Sequence, residues 1–418
     1  MSLTALAMRE DFPIFLRTVA EGKKLVYLDN GATSQKPLCV IESESNFYKL
    51  HNAAVHRGAH QLAQEATEAY ESARAIVADF LTAPGGADEI IFTKSATESL
   101  NLLAYAMGNA PSGNRFALSV GDRIVVSEME HHANLIPWQQ LCARTGAELV
   151  WFGLTPEGRL DLSGIDDLIS TRTKIVAITH QSNVLGTINP LDAIVDRAHK
   201  VGAVVVLDAC QSVPHMAIDV TALDVDFLVF SGHKALGPTG IGILWGRMHL
   251  LDELPPFLFG GSMIENVTMT SATWAAVPAK FEAGVPNMAQ AVGLGTALQY
   301  LSGIGMDNVH HHEIALTSYL LNELSRVPDI RIVGPTNTQS RGGTISFTIK
   351  DIHPHDVGQY LDSQGVVVRT GHHCAWPLAR SLKVPASTRA SLYIYNDEKD
   401  CDALVDAILG AQKYFGRL

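Results

Sequence analysis

The run "FLVFSGHKALGPTGIGILWG", Phe227 to Gly246, sets a short apolar stretch against a glycine-rich loop that holds one lysine, Lys234. A short apolar run of this kind, closed by glycine, reads as a strand buried on both faces of a parallel sheet. Working outward, "EIIF", "DRIVVSE", "ELVWFG", "KIVAITH" and "AVVVLDA" repeat the pattern between about Tyr27 and Trp245, separated by amphipathic stretches. The expected fold class is α/β, a large domain built on a mainly parallel sheet. After about residue 302 come a helical stretch, strand-like "IRIVG" and "GGTISFTI", another helix, "GVVVRTG" and a closing helix from Glu398 to Phe415. That tail reads as a smaller α+β domain, so the expected division is 25–302 against 1–24 together with 303–418.

Composition narrows the class. The 418 residues are 47% hydrophobic and 18% charged, which suits a globular chain with a large core. The formal net charge of −12, with no basic run, argues against a nucleic-acid or polybasic membrane surface. No window reaches the roughly 18 consecutive apolar residues of a membrane span, and the start lacks the pattern of a signal peptide. Five scattered cysteines, Cys39, Cys142, Cys210, Cys374 and Cys401, fit neither a disulfide framework nor a CxxC zinc site. A reducing, cytoplasmic setting is expected, with no metal.

Ligands in open parallel sheets bind beyond the carboxyl ends of the strands. Four runs here end in chemically able residues. "IVVSEMEHHANLIPW" gives His131 and His132, and "IVAITHQSNVLGT" gives His180 and Asn183. "VVVLDACQS" gives Asp208 and Gln211, and "FLVFSGHK" gives Ser231, His233 and Lys234. Singly, each is an ordinary cap, turn or structural histidine. Together they suit pyridoxal phosphate chemistry, in which a lysine condenses with the cofactor aldehyde and a carboxylate keeps the ring nitrogen protonated. Ser231 and His233 stand where they can donate to a phosphate. "FTKSATESLN" reads equally as a capping box or as a helix start whose amides, from Ala96 and Thr97 onward, receive that phosphate.

Nine segments in order carry a closer resemblance: "YLDNGATSQKP", "AVHRGAHQL", "EHHANLIPW", "HQSNVLGTINP", "DACQS", "SGHKALGPTGIGIL", "FEAGVPN", "RTGHHCAWPL" and "RASLYIYN". The chain resembles the SufS-type (group II) cysteine desulfurases of the class V aminotransferase family. The resemblance implies pyridoxal-phosphate-dependent transferase fold type I, the aspartate-aminotransferase type, as a homodimer with sites at the subunit interface. It implies that Lys234 holds the cofactor, Asp208 pairs with the ring nitrogen and Gln211 meets the phenolic oxygen. His131 is implied to stack on the ring and shuttle protons, and Thr97, Ser231 and His233 to bind phosphate. Asn183 and Arg389 are implied to take the substrate carboxylate, with His56, Arg57, Arg369 and His373 lining the pocket. Cys374 matches the nucleophile that becomes a persulfide.

The implied reaction converts L-cysteine to L-alanine and passes sulfur to an acceptor protein of the SufE or SufU type, for iron–sulfur cluster assembly. A selenocysteine lyase shares every residue named, and other class V enzymes do not need Cys374. Cys374 follows "RTGHH", where Arg369 and two histidines favour a thiolate. Cys39, Cys142, Cys210 and Cys401 read as packing residues. His310, His311 and His312 read as a solvated helix face, and the "HPH" at His353–His355 as a turn. Val285 stands where the family commonly has a threonine expected to reach the phosphate of the neighbouring subunit.

Overall fold

The computed structural model describes residues 9–417. The main sheet has strands β1 Ile90–Thr93, β2 Arg123–Ser127, β3 Glu148–Phe152, β4 Thr173–Thr179, β5 Val204–Asp208, β6 Phe227–Ser231 and β7 Gly242–Gly246. Their order is β1-β7-β6-β5-β4-β2-β3. Strands β2 to β6 pair in parallel, while β7 is antiparallel to both of its neighbours, β1 and β6.

Two-sided burial explains why these strands read as continuous apolar runs. Along β5 and β6, Val205, Leu207, Leu228 and Phe230 enter one apolar cluster, and Val204, Val206, Phe227 and Val229 enter the other. Successive side chains point to opposite faces of a strand, so a sheet covered on both sides needs apolar residues at every step. Helices α1 Gln61–Leu81 and α3 Met288–Ile304 pack on the first face through Tyr70, Val77, Leu294 and Leu298. Helix α2 Ala96–Gly108 packs on the second through Leu100 and Leu103. Its start lies hard against β7: a Cβ at Gly242 would come within 2.4 Å of the Ser95 Cα, so glycine admits the approach.

A second, antiparallel sheet follows, with strands β8 Ile330–Val333, β9 Thr344–Ile349, β10 Arg369–Gly371 and β11 Ser387–Ser391 in the order β8-β9-β11-β10. Ile345 and Phe347 share an apolar cluster with helices α4 Met306–Leu324, α5 Pro354–Ser363 and α6 Glu398–Tyr414. Two details mark where the layers join. Val26–Tyr27 pairs in parallel with Val366–Val367, and the segment alternates between layers, with Val26 and Leu28 in the second sheet's cluster and Leu25 and Tyr27 in the main one. Residue 302 falls inside α3, which runs on to Ile304 and ends at Gly305, whose φ of 88° leaves the helix. Among the described residues no helix is long and apolar enough to cross a membrane.

Candidate active site

The carboxyl ends of β2, β4, β5 and β6 open onto one cavity of about 260 Å³. Lys234, Asp208, Gln211, His131, Asn183, Ser231, His233, Ala96 and Thr97 line it from the main sheet. Arg369, His373, Cys374 and Arg389 line it from the second layer. His56 and Arg57 are not in this lining; His56 turns its Nε2 to Glu71 Oε1 at 2.8 Å on an exposed face.

Lys234 is half-buried and closes a short turn, Gly232–Lys234, directly after β6. The Ser231 Oγ accepts a hydrogen bond from the Ala96 amide at 2.9 Å, tying β6 to the first turn of α2. A hydroxyl that accepts still has its proton to donate, so Ser231 remains available to an anion. Ser95 caps α2, its Oγ accepting from the Glu98 amide at 3.3 Å. The Thr97 amide lies in the first turn, where helix geometry supplies no acceptor. The capping reading and the anion reading of "SATE" are therefore compatible. The His233 imidazole is pushed down to about 4 by burial and by the charges of Lys234 and Lys36.

Asp208 accepts from the Cys210 amide through Oδ1 at 3.0 Å, and Gln211 donates through Nε2 to the Gly31 carbonyl at 2.8 Å. Cys210 is buried, and burial together with Asp208 pushes its thiol far up, so it stays protonated. His131 is pushed down to about 3, by burial first and then by Lys234. Its Nδ1 accepts from the Ala133 amide at 3.1 Å, which puts the ring proton of the neutral imidazole on Nε2. Directly before it, Glu130 is fully buried and accepts from Ser127 Oγ and Asn134 Nδ2, each at 2.6 Å, and from the Thr179 amide at 3.0 Å. Burial pushes Glu130 up to about 8 against those three donors. Sequence reasoning missed this carboxylate, whose one signal was its place before the histidine pair.

Arg369 and Arg389 face each other across β10 and β11. Like charges directly opposite in a sheet repel, and Asp29 resolves the conflict. Its carboxylate accepts from Arg369 Nε at 3.1 Å and Nη2 at 3.0 Å, and from Arg389 Nη2 at 3.2 Å. Arg389 also donates through Nη1 to the Asn183 carbonyl at 2.9 Å, while its buried Nε has no partner. Asp29 went unnoticed in the sequence because its partners lie more than 300 residues downstream.

Cys374 is exposed at the cavity rim. His373 and Cys374 take φ values of 53° and 57°, two successive non-glycine residues in the left-handed region. Such backbone persists only where the surroundings hold it. Here the His132 amide donates to the Cys374 carbonyl at 2.8 Å, and Asn183 Nδ2 donates to the His373 carbonyl at 2.8 Å. The expectation that both neighbouring histidines favour a thiolate needs correction at His373. Burial and the charge of Arg389 push that ring down to about 3, so it is neutral and adds no positive charge beside Cys374. Two further expectations are corrected. Cys39 is exposed on a helix that buries Val40 instead. His312 is buried, its Nε2 against the Asn396 carbonyl at 3.0 Å, because it shares the core face of α4 with Val309 and Leu316.

The Aminotransferase class-V family model matches residues 26–404, and the chain belongs to that family. Within it, the chain is 57% identical over 410 residues to the probable cysteine desulfurase of Streptomyces coelicolor, covering 98% of this chain and 97% of that one. Among solved structures it is similar to the apo cysteine desulfurase of Thermococcus onnurineus NA1, with TM-score 0.92, 37% identity and 99% of both chains covered. It is also similar to the cysteine desulfurase CsdA of Escherichia coli, with TM-score 0.88, 36% identity and 99% of both chains covered. The fold is the pyridoxal-phosphate-dependent one expected from the sequence. The cavity fits that cofactor: an amine at Lys234, a buried carboxylate at Asp208 and a helix start with a free hydroxyl donor at Ser231.

Proposed function

We propose that the protein is a cysteine desulfurase that converts L-cysteine to L-alanine and keeps the sulfur as a persulfide on Cys374. The observation that carries this reading is that Lys234, Asp208, Arg389 and Cys374 line one cavity. When bound, pyridoxal phosphate supplies an aldehyde that takes up amines and a ring that draws electrons from the substrate Cα. Lys234 would hold the cofactor, and its Nζ would take the Cα proton of bound substrate. Asp208 would keep the ring nitrogen protonated, and His131, neutral with its proton on Nε2, would move a proton. Ser231, His233 and the Thr97 amide would hold the phosphate, with the Ala96 amide fixing the Ser231 hydroxyl and Gln211 serving the ring oxygen.

Arg389 has its unpartnered Nε for the substrate carboxylate, with Asn183 and Arg369 beside it. The Cys374 thiolate attacks the substrate sulfur: an S–S bond forms, the Cβ–S bond breaks, and the electron pair passes to the carbon that becomes the alanine methyl. In this reading a homodimer completes the site. Val285, 74% exposed and outside this chain's cavity, and the exposed Met269 and Trp274 at a hairpin support a second copy there. An acceptor of the SufE or SufU type for iron–sulfur assembly, and a cytoplasmic location, belong to the same reading. The test is to incubate the purified holoenzyme with L-cysteine and a thiol reductant. Alanine and sulfide should appear in equal amounts; pyruvate with ammonia, or no product, overturns the reading.

A further inference from the structure

The carbonyl of His233, in the peptide that leads into Lys234, is crowded with donors. The Ser34 amide reaches it at 3.1 Å, Thr33 Oγ1 at 3.0 Å, Ser34 Oγ at 3.2 Å and Lys36 Nζ at 2.8 Å. A carbonyl oxygen has two lone pairs, so Thr33 and Ser34 already satisfy it without Lys36. The Lys36 amine also donates to the Ser34 carbonyl at 2.6 Å, and no carboxylate pairs with it among the described residues. Beyond the turn, the Leu236 amide donates to Ser34 Oγ at 3.0 Å, which holds Leu236 at a φ of 60°. The segment from Thr33 to Lys36 thus grips the peptide on either side of Lys234.

We propose that Lys36 is a positioning residue for Lys234: its amine over-determines the His233 carbonyl and thereby fixes the direction in which Lys234 leaves the turn. This rests on the reading of Lys234 as the cofactor lysine. Burial of the Lys36 amine agrees with a group enclosed by the fold, since it pushes Lys36 down to about 7. A donor beyond what the carbonyl needs adds little to stability but restricts geometry, and a catalytic group displaced by a fraction of an ångström loses rate.

Lys36→Met keeps the length and removes the donor, while Lys36→Arg restores donors. In the apo-protein, amide hydrogen exchange across Gly232–Gly237 should rise severalfold in Lys36→Met and stay near wild type in Lys36→Arg. With cofactor bound, Lys36→Met should lose about tenfold in kcat, the low end for a charge-assisted hydrogen bond, with KM for L-cysteine within about twofold. Lys36→Arg should recover most of that loss. Unchanged exchange and kcat in Lys36→Met, or an equal loss in both variants, overturns the proposal. Borohydride trapping of the wild type, with the adduct mapped by mass spectrometry, tests the reading of Lys234 separately: an adduct elsewhere defeats that reading, whatever the exchange data give.

Discussion

The turn that carries Lys234 hangs from a strand buried along its whole length, and Thr33, Ser34 and Lys36 crowd its leading carbonyl. The turn that carries Cys374 exposes the cysteine but buries His373, spans two left-handed residues, and is held at its carbonyls by the His132 amide and the Asn183 side chain. The difference matches what the proposed function asks of each end. In that reading, Lys234 must return to one place after each turnover and benefits from a fixed frame. In the same reading, a cysteine that takes sulfur from inside and gives it up outside benefits from its position at the rim. Asn183 ties the Cys374 turn to Arg389, accepting from Arg389 at its backbone and donating to the His373 carbonyl with its side chain.

The largest expected effect separates these two ends. Lys234→Ala should lose alanine release by about a thousandfold, in the range for removing a group that moves protons, and should fail to retain cofactor on gel filtration. Cys374→Ala should lose alanine release as deeply yet keep its cofactor. If both variants lose the cofactor, or neither does, the division of labour between the turns is wrong.

Acid should strike the framework next. His131 and His373 are pushed down to about 3, and His180 and His233 to about 4, in each case with burial as the largest cause. Folded values below the ordinary 6.5 mean that the unfolded chain binds more protons as pH falls. The stability these histidines contribute is therefore complete above about 6.5 and is lost as pH drops from there toward 3. The combined loss should be on the order of several kcal/mol. Glu130, pushed up to about 8 from 4.5, works in the opposite sense between those values, so the test uses Glu130→Gln: urea midpoints of its apo-protein should fall steadily from pH 7 to pH 4, and a flat profile contradicts the neutral-histidine framework.

The smallest effect concerns the second copy. In the proposed dimer, Val285→Thr adds a hydroxyl for the neighbouring subunit's phosphate, a bond worth roughly 1.5 kcal/mol at the low end. Cofactor dissociation should slow about tenfold, and only in the dimer. Unchanged dissociation means that the exposed position of Val285 in the single chain is its working environment.

Most of the large sheet was legible in the sequence, because strands buried on both faces leave near-continuous apolar runs at even intervals. The strand ends were legible too, since a strand hands its next residues to one edge of the sheet. Partnerships across the chain were hidden. Asp29 meets Arg369 and Arg389, and Lys36 meets His233, through folding that brings distant segments together, and no local pattern marks such pairs. Burial was hidden where a residue sits at the boundary of a face: His312 joins the core of α4 while His311 beside it stays exposed. The charge state of His373 was hidden for the same reason, because adjacency to a cysteine says nothing about desolvation.

The central claim is that sulfur passes from L-cysteine to Cys374, and the added sulfur can be located directly. Holoenzyme treated with L-cysteine and digested without reductant should gain the mass of one sulfur atom on the peptide holding Cys374, with Cys210→Ala retaining most of its alanine release. Sulfur found on Cys210, whose thiol burial holds protonated, or normal alanine release by Cys374→Ala, would contradict the account.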